Sequence, residues 1–346
     1  MRAGAKRPFL GGPAGSKQVS PRPTLIRRAP PDTFSLREKG VGTLANMEPR
    51  TRVNVFFFGL GYCARRLIQR EPWIEASGTA RGAESVAALR RDGIEAYQFD
   101  GADAAPGLKE TLAKAEAIVV SIPPRDGAGA ALHRFGPAIA AAPALRRVVY
   151  YSTIGVYGDY GGEWVDETSA TRTRTARGLA RLEDEARWTA AARAWGAEAN
   201  ILRLAGIYGP GRNALVNLRR GEARRIVKPG QVFNRAHVDD IAEVSRLVLT
   251  RGLDGQIWNV ADDEPAPPQD VIAYAAGLLG LEPPVEEPFD EARLSPMAQE
   301  FYADNKRVSI AKAKAELRFA PAYPTYREGL EALARAGEGR KPTAGA

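Results

Sequence analysis

The chain has 346 residues and a formal net charge of +8, with one cysteine and two histidines. No run approaches the roughly 18 consecutive apolar residues that a helical membrane span requires, so no membrane partner is expected. A single thiol, Cys63, excludes an intrachain disulfide framework and fits a reducing, cytoplasmic setting; with His133 and His237 alone, a zinc site built on His and Cys is excluded too.

The positive charge would suggest nucleic acid if it were spread over the chain. It is not: residues 1–50 hold ten Lys/Arg against three acids, and the rest of the chain has a net charge of +1. No nucleic-acid partner is therefore expected for the folded part. Residues 1–50 are rich in Pro, Gly, Arg and Ser and lack an apolar period, which is the composition of a disordered tail. They contain no apolar stretch of the kind a secretory signal needs, and their prolines oppose the amphipathic helix of an organelle transit peptide. Translation from Met47, six residues before the first strand, is the preferred reading of the start.

Val53–Phe58 is an apolar run that passes through Gly59-Leu60-Gly61-Tyr62-Cys63-Ala64 into a helical segment reaching about Arg70. A buried strand turning through glycines into a helix is the entrance of a dinucleotide-binding Rossmann unit. Gly59 permits the tight turn and Gly61 lets the backbone approach a pyrophosphate. Ala64 keeps the helix close to the strand, and Tyr62 opens the helix whose free N–H groups attract phosphate.

A second strand is expected over 74–79. In an NAD site an acid lies about 20 positions beyond the glycines, on the ribose 2′-hydroxyl. Here Thr79-Ala80-Arg81 stands there, and a guanidinium suits a 2′-phosphate, so NADP is preferred over NAD as cofactor. Ser85–Arg91 reads as a helix and Ile94–Phe99 as a third strand. Asp100 follows it, placed either to meet the adenine amino group or to cap the next segment. A helix closing over Thr111–Ala115 leads to a fourth strand from Ala117, with Ser121 and Pro123 in an exit loop that borders the nicotinamide ribose. Leu132–Ala142 is helical, and Arg146–Thr153 is the fifth strand. Strand–helix alternation of this kind predicts an α/β fold with a doubly wound parallel sheet.

The segment Tyr151-Ser152-Thr153-Ile154-Gly155-Val156-Tyr157-Gly158 resembles the strand-end "SSxxVYG" of the extended short-chain dehydrogenase/reductase family, the epimerase and dehydratase relatives. Three further segments resemble family motifs in family order. They are Leu202–Gly211 ("LRxxxVYGPG"), Phe233–Ala242 ("RxFVHVDDVA") and Trp258–Asp263 ("YNVGDG"), and the likeness extends over about 53–332. The closing stretch from Asn305-Lys306 through Tyr326–Leu330 resembles "NxK…YPTxxEGL". The shortened GxGxxA turn is similar to that of the family's atypical branch.

The resemblance implies a Rossmann core over 51–205, a small substrate lobe over 206–332 interleaved with the last core strands, and a frayed tail over 333–346. It also implies a small-molecule substrate and a homodimer. Ser152 and Thr153 would hold a substrate carbonyl, Ala205 would lie beside the cofactor, and Arg177, Asn213 and Arg235 would face the substrate. The family's acid–base pair, Tyr-x-x-x-Lys, aligns with Arg177 and Arg181. Arg181 can hold a ribose hydroxyl or a phosphate, but a guanidinium that stays protonated cannot serve as a base. Tyr157 or Tyr160 could be recruited as a proton donor, although Tyr157 matches the Tyr of "VYG", which in the family is not the acid–base residue. The one Tyr-x-x-x-Lys in the chain, Tyr302 to Lys306, lies too far along to sit on the catalytic helix and is read as coincidental.

The basic cluster Arg219-Arg220, Arg224-Arg225 and Lys228 fits an anionic substrate or a solvated helix face equally well. His237 is read as a packed histidine, and Asp239 and Asp240 as acids at a helix start rather than a metal pair. Two functions remain open. One is an NADP-dependent oxidoreductase or epimerase acting on a small, anionic or nucleotide-linked metabolite. The other is a dinucleotide-binding redox sensor or scaffold without turnover.

Overall fold

The computed structural model describes residues 52–101, 105–124, 129–251 and 253–339. The expectations for the N-terminal tail and its start at Met47 lie outside these residues.

Seven strands form one sheet: β1 (Val53–Phe58), β2 (Ile74–Ala80), β3 (Glu95–Gln98), β4 (Ala117–Val120), β5 (Arg147–Thr153), β6 (Glu198–Leu204) and β7 (Gln256–Val260). Their order is β7-β6-β5-β4-β1-β2-β3, with every neighbouring pair parallel. This is the doubly wound Rossmann order, with strand order reversing between β1 and β4. Alternation along β1 explains why the run of phenylalanines is tolerated. Phe57 enters the layer containing Leu67, Val119 and Ile241, whereas Phe56 and Phe58 enter the opposite layer with Phe135 and Trp188. A strand buried on both faces reads as a continuous apolar run.

The helices are α1 (Tyr62–Arg70), α2 (Ala83–Arg91), α3 (Leu108–Leu112), α4 (Ala130–Ala140), α5 (Ala176–Ala194), α6 (Ala214–Arg219), α7 (Val238–Arg251), α8 (Pro268–Leu278), α9 (Pro296–Ala303), α10 (Ala311–Glu316) and α11 (Tyr326–Arg335). Thr175 starts α5 by accepting from the Gly178 N–H at 3.0 Å. Pro268 opens α8, where its missing N–H costs nothing. Thr325 and Glu328 form a capping box on α11.

Several boundaries differ from the sequence reading. β3 is shorter than Ile94–Phe99, because the Ile94 N–H is used to close α2 on the Leu89 carbonyl. α3 ends at Leu112 rather than near Ala115, and α4 runs two residues earlier than expected, with Pro137 inside it. The last segment is helical through Arg335 where a frayed tail was expected, and Glu338 beyond it is anchored to the Gly209–Asn213 loop.

Beyond β6, short parallel pairs tie the lobe together: Gly206–Tyr208 with Arg235–His237, and Arg225–Val227 with Glu286–Pro288. A third pair, Trp164–Val165 with Arg307–Val308, returns the C-terminal segment to the end of β5. Tyr208, Leu215, Val271, Tyr326 and Leu330 form a separate apolar cluster under α6, α8 and α11.

Candidate functional site

A cleft of about 880 Å³ runs between the carboxyl ends of the strands and the lobe. Among the residues singled out from sequence, Gly61, Tyr62, Ser121, Ser152, Thr153, Arg177, Arg181, Ala205, Asn213 and Arg235 line it.

Its first half is built around the glycine turn. Gly59 has φ +101°, and a Cβ there would lie 2.6 Å from the Ser121 Oγ. The turn is braced from both neighbouring strands. The Gly59 N–H donates to the Thr79 Oγ1 at 3.0 Å, and the Ser121 hydroxyl donates to the Gly59 carbonyl at 2.7 Å. Gly61 caps α1 with no side-chain hydrogen bond, no acid stands in the first helical turn, and nothing lies within 4 Å of where a Cβ would be. An uncapped helix start facing open space suits an anion. Ala64 is fully buried against the sheet. The Tyr62 hydroxyl, pushed up to about 12 mainly by burial, donates to the Pro210 carbonyl across the cleft. Burial likewise pushes the Cys63 thiol up to about 11, leaving a protonated packing group.

Arg81 is exposed immediately past β2, two residues from the Thr79 that braces the glycine turn, and makes no ion pair among the described residues. Asp100 is exposed just beyond β3, and Pro123 is exposed in the exit loop of β4. Arg81, Asp100 and Pro123 are not among the residues lining the cleft.

The middle of the cleft holds a buried polar chain. The Ser152 hydroxyl donates to Glu185, whose carboxylate pairs with Arg203 at 2.8 Å, and the Arg203 guanidinium lies 4.9 Å from the centre of the Tyr157 ring. Tyr157 is fully buried and donates to the Asn259 Oδ1 at 2.8 Å. The sequence reading of Tyr157 as a recruited proton donor is therefore corrected: the turn after β5 aims its ring into the protein, and its proton is committed there. Thr153, one residue on from Ser152 and on the opposite face of the strand, accepts from the Gly155 N–H at 3.1 Å and keeps its own O–H for the cleft. Arg181 donates to the Tyr151 carbonyl at 2.9 Å and to the Tyr150 hydroxyl at 3.1 Å, which fastens it to β5. Arg177, one turn earlier on α5, is exposed.

In the lobe half, the expected substrate contact at Asn213 is also corrected. Its Oδ1 caps α6 at the Val216 N–H, and its amide donates to the Gly209 carbonyl and to Glu338. Arg235 is held by the carbonyls of Phe233 and Ala266, at 2.9 and 3.2 Å. Burial holds the Asp262 carboxyl up at about 8 despite the pull of Arg235. Glu286 and Glu287 neutralise Arg225 and Arg224, which leaves two of the five cations of the basic cluster paired. His237 accepts from the Asp239 N–H and packs edge-on against Tyr208, with burial pushing it down to about 4. Asp239 and Asp240 fall in the first turn of α7. Arg66 grips the former, and the latter accepts the Ala322 and Tyr323 N–H groups. Tyr302 and Lys306, set aside in the sequence reading as a coincidental spacing, both line the cleft. Their shared Tyr-x-x-x-Lys spacing was the available signal.

Protein YeeZ of Escherichia coli K12 is 31% identical over 264 residues, which span 66% of this chain and 85% of YeeZ. The sequence model of the NAD dependent epimerase/dehydratase family matches residues 137–261. The chain belongs to the NAD dependent epimerase/dehydratase family. The matched span of this epimerase-family chain contains the segments at Tyr151, Leu202 and Phe233, and leaves the glycine turn outside it.

A conserved protein of unknown function from Silicibacter pomeroyi has a solved structure that is 42% identical. It matches 83% of this chain and 99% of its own, with a TM-score of 0.74. UDP-glucuronic acid 4-epimerase from Bacillus cereus, solved with UDP-glucuronic acid and NAD, is 16% identical with a TM-score of 0.65. It matches 82% of this chain and 98% of its own, a likeness of fold alone.

Proposed function

We propose that this family member is an NADP(H)-dependent oxidoreductase or epimerase-like enzyme acting on a small, anionic or nucleotide-linked carbonyl or hydroxyl metabolite. The observation that carries the reading is the uncapped start of α1 at Gly61, opening on a cleft with a free-standing guanidinium at Arg81 nearby. Gly61 and the first N–H groups of α1 would hold the pyrophosphate, and Arg81 the 2′-phosphate. Bound there, the nicotinamide would supply or accept a hydride. Thr153 would donate its O–H to a substrate oxygen, and Arg177 would attract an anionic substrate. The cytoplasm is the proposed location and a homodimer the proposed assembly.

A second reading is a dinucleotide-binding sensor without turnover. It draws support from Arg177 and Arg181 standing where the family carries its Tyr and Lys, and from the committed hydroxyls of Ser152 and Tyr157. Fluorescence titration with NADPH and with NADH, followed by a hydride-transfer screen on aldehydes, ketones and nucleotide sugars, separates the readings. Failure to bind NADPH would reject both; binding without turnover would select the sensor. Arg81→Glu is expected to weaken NADPH about tenfold or more and NADH little. An equal loss for both would remove Arg81 from the 2′-phosphate.

A further inference from the structure

We propose that Lys306, brought from the C-terminal segment onto the turn that follows β5, is the proton donor to the reacting oxygen of the substrate. This rests on the oxidoreductase reading above.

Lys306 lines the cleft with only 5% of its surface exposed. Its ammonium donates to the Gly158 carbonyl at 2.7 Å and to the Asp304 carboxylate at 3.2 Å. Gly158 ends the short turn over Ile154–Tyr157 that Thr153 begins. The segment carrying Lys306 is pinned to the same place twice more: the Asn305 N–H donates to Asp159, and the Tyr160 N–H donates to the Asn305 carbonyl. An ammonium has three N–H groups, and two have partners here. The third has no partner among the described residues, and Lys306 and Thr153 line the same cleft.

The ammonium is also chemically suited to giving up a proton. Burial lowers its pKa from the ordinary lysine value, with Asp304 and Asp159 opposing that shift. A guanidinium could hold an oxyanion at this position but could not donate a proton to it. Arg181, by contrast, is fastened to β5 through its Nη1 and stays protonated. Tyr302 shares the cleft but not the task. α9 ends at Ala303 between the two residues, and the cations acting on the Tyr302 phenol are Arg224 and Arg235, not Lys306.

In the reducing direction the step balances simply. Bound dihydronicotinamide would supply the hydride that forms the new C–H bond at the carbonyl carbon as the C=O π bond opens. The carbonyl oxygen takes a proton from the Lys306 Nζ, so an O–H bond forms and an N–H bond breaks. The nicotinamide would be oxidised and the carbonyl reduced to the alcohol, and the neutral amine would take back a proton from the bulk solvent, so that one hydride and one proton are consumed in all. Thr153 donates to the same oxygen without losing its proton.

The test uses the full chain as wild type, Lys306→Met and Lys306→Arg, each checked by thermal melting and by NADPH titration. Turnover is read on the aldehyde, ketone and nucleotide-sugar panel. Lys306→Arg is expected to melt near wild type, to bind NADPH with unchanged affinity, and to lose about 100-fold or more in kcat at neutral pH. Wild-type kcat should fall as pH rises through the lowered lysine pKa, a limb absent from the arginine variant. Separately, 15N-lysine NMR should show one ammonium signal, missing in both variants, that moves when acetate is added as an oxyanion mimic.

Turnover within twofold of wild type in Lys306→Arg would overturn the proposal and leave the oxidoreductase reading standing, as would an ammonium signal unmoved by acetate. A Lys306→Met that fails to fold does not blunt the test, because the arginine variant keeps the cation. Wild type that binds NADPH yet reduces nothing in the panel would overturn both.

Discussion

The two halves of the cleft are built by different means. On the glycine-turn side the decisive atoms belong to the backbone, and the side chains around them are small: Gly59 and Gly61 shape the turn, and Thr79 and Ser121 brace it. On the lobe side the decisive atoms sit at the ends of long side chains whose partners lie far away in sequence. Lys306 reaches Gly158, and Arg224 reaches Glu287. The conformation of the glycine turn is set by local sequence, although Ser121, which braces it, lies 62 residues on, whereas a site made of long side chains is fixed by the whole fold.

The largest effect is expected beneath the cleft, between α5 and β6 of the Rossmann core. Arg203 and Glu185 pair where both are almost fully buried. Arg203→Met would strand the Glu185 carboxylate, and a loss of about 3–5 kcal/mol in urea-unfolding free energy is expected. A loss below about 1 kcal/mol would mean that the Glu185 carboxylate is not left unpaired in the core.

On the glycine-turn side, Gly59→Ala forces a side chain into a left-handed backbone and against the Ser121 Oγ. About 3 kcal/mol of stability and most of the NADPH affinity should be lost together. Loss of stability alone, with affinity intact, would separate the turn from the cofactor.

The lobe-side prediction is smaller and depends on pH. Folded protein holds the Asp262 proton up to about 8, while the unfolded chain releases it near the ordinary carboxylate value of about 4. The raised pKa therefore contributes stability that is full in acid and drains away as pH rises across that window. Asp262→Asn does not titrate, so it should gain on wild type by about 2 kcal/mol between roughly pH 6.5 and 8. A difference that stays flat with pH would mean that Asp262 is ionised in the folded protein.

The same contrast governs what could be read from the sequence. The β1 run, the glycine turn and the alternation of strands and helices are local patterns, and the fold they predict is the fold observed. The positive φ of Gly59 follows from the tight turn its position demanded. Tyr157 and Asn213 went astray because nearness in sequence to Ser152, or to a motif, does not say which way a side chain points. Tyr157 turns inward to Asn259, and Asn213 is claimed by Glu338, 125 residues away. Lys306 was set aside for its distance along the chain, yet the short strand pair with Trp164–Val165 carries it back to the end of β5.

Glu338 carries a consequence of its own. Its carboxylate already accepts from the Gly211 N–H and the Asn213 amide at the rim of the cleft. Any phosphate or carboxylate arriving at that loop meets a tethered rival at high effective concentration. Affinity there would be the difference between two anions competing for the same donors, so a ligand of modest strength would be turned away by the chain's own end.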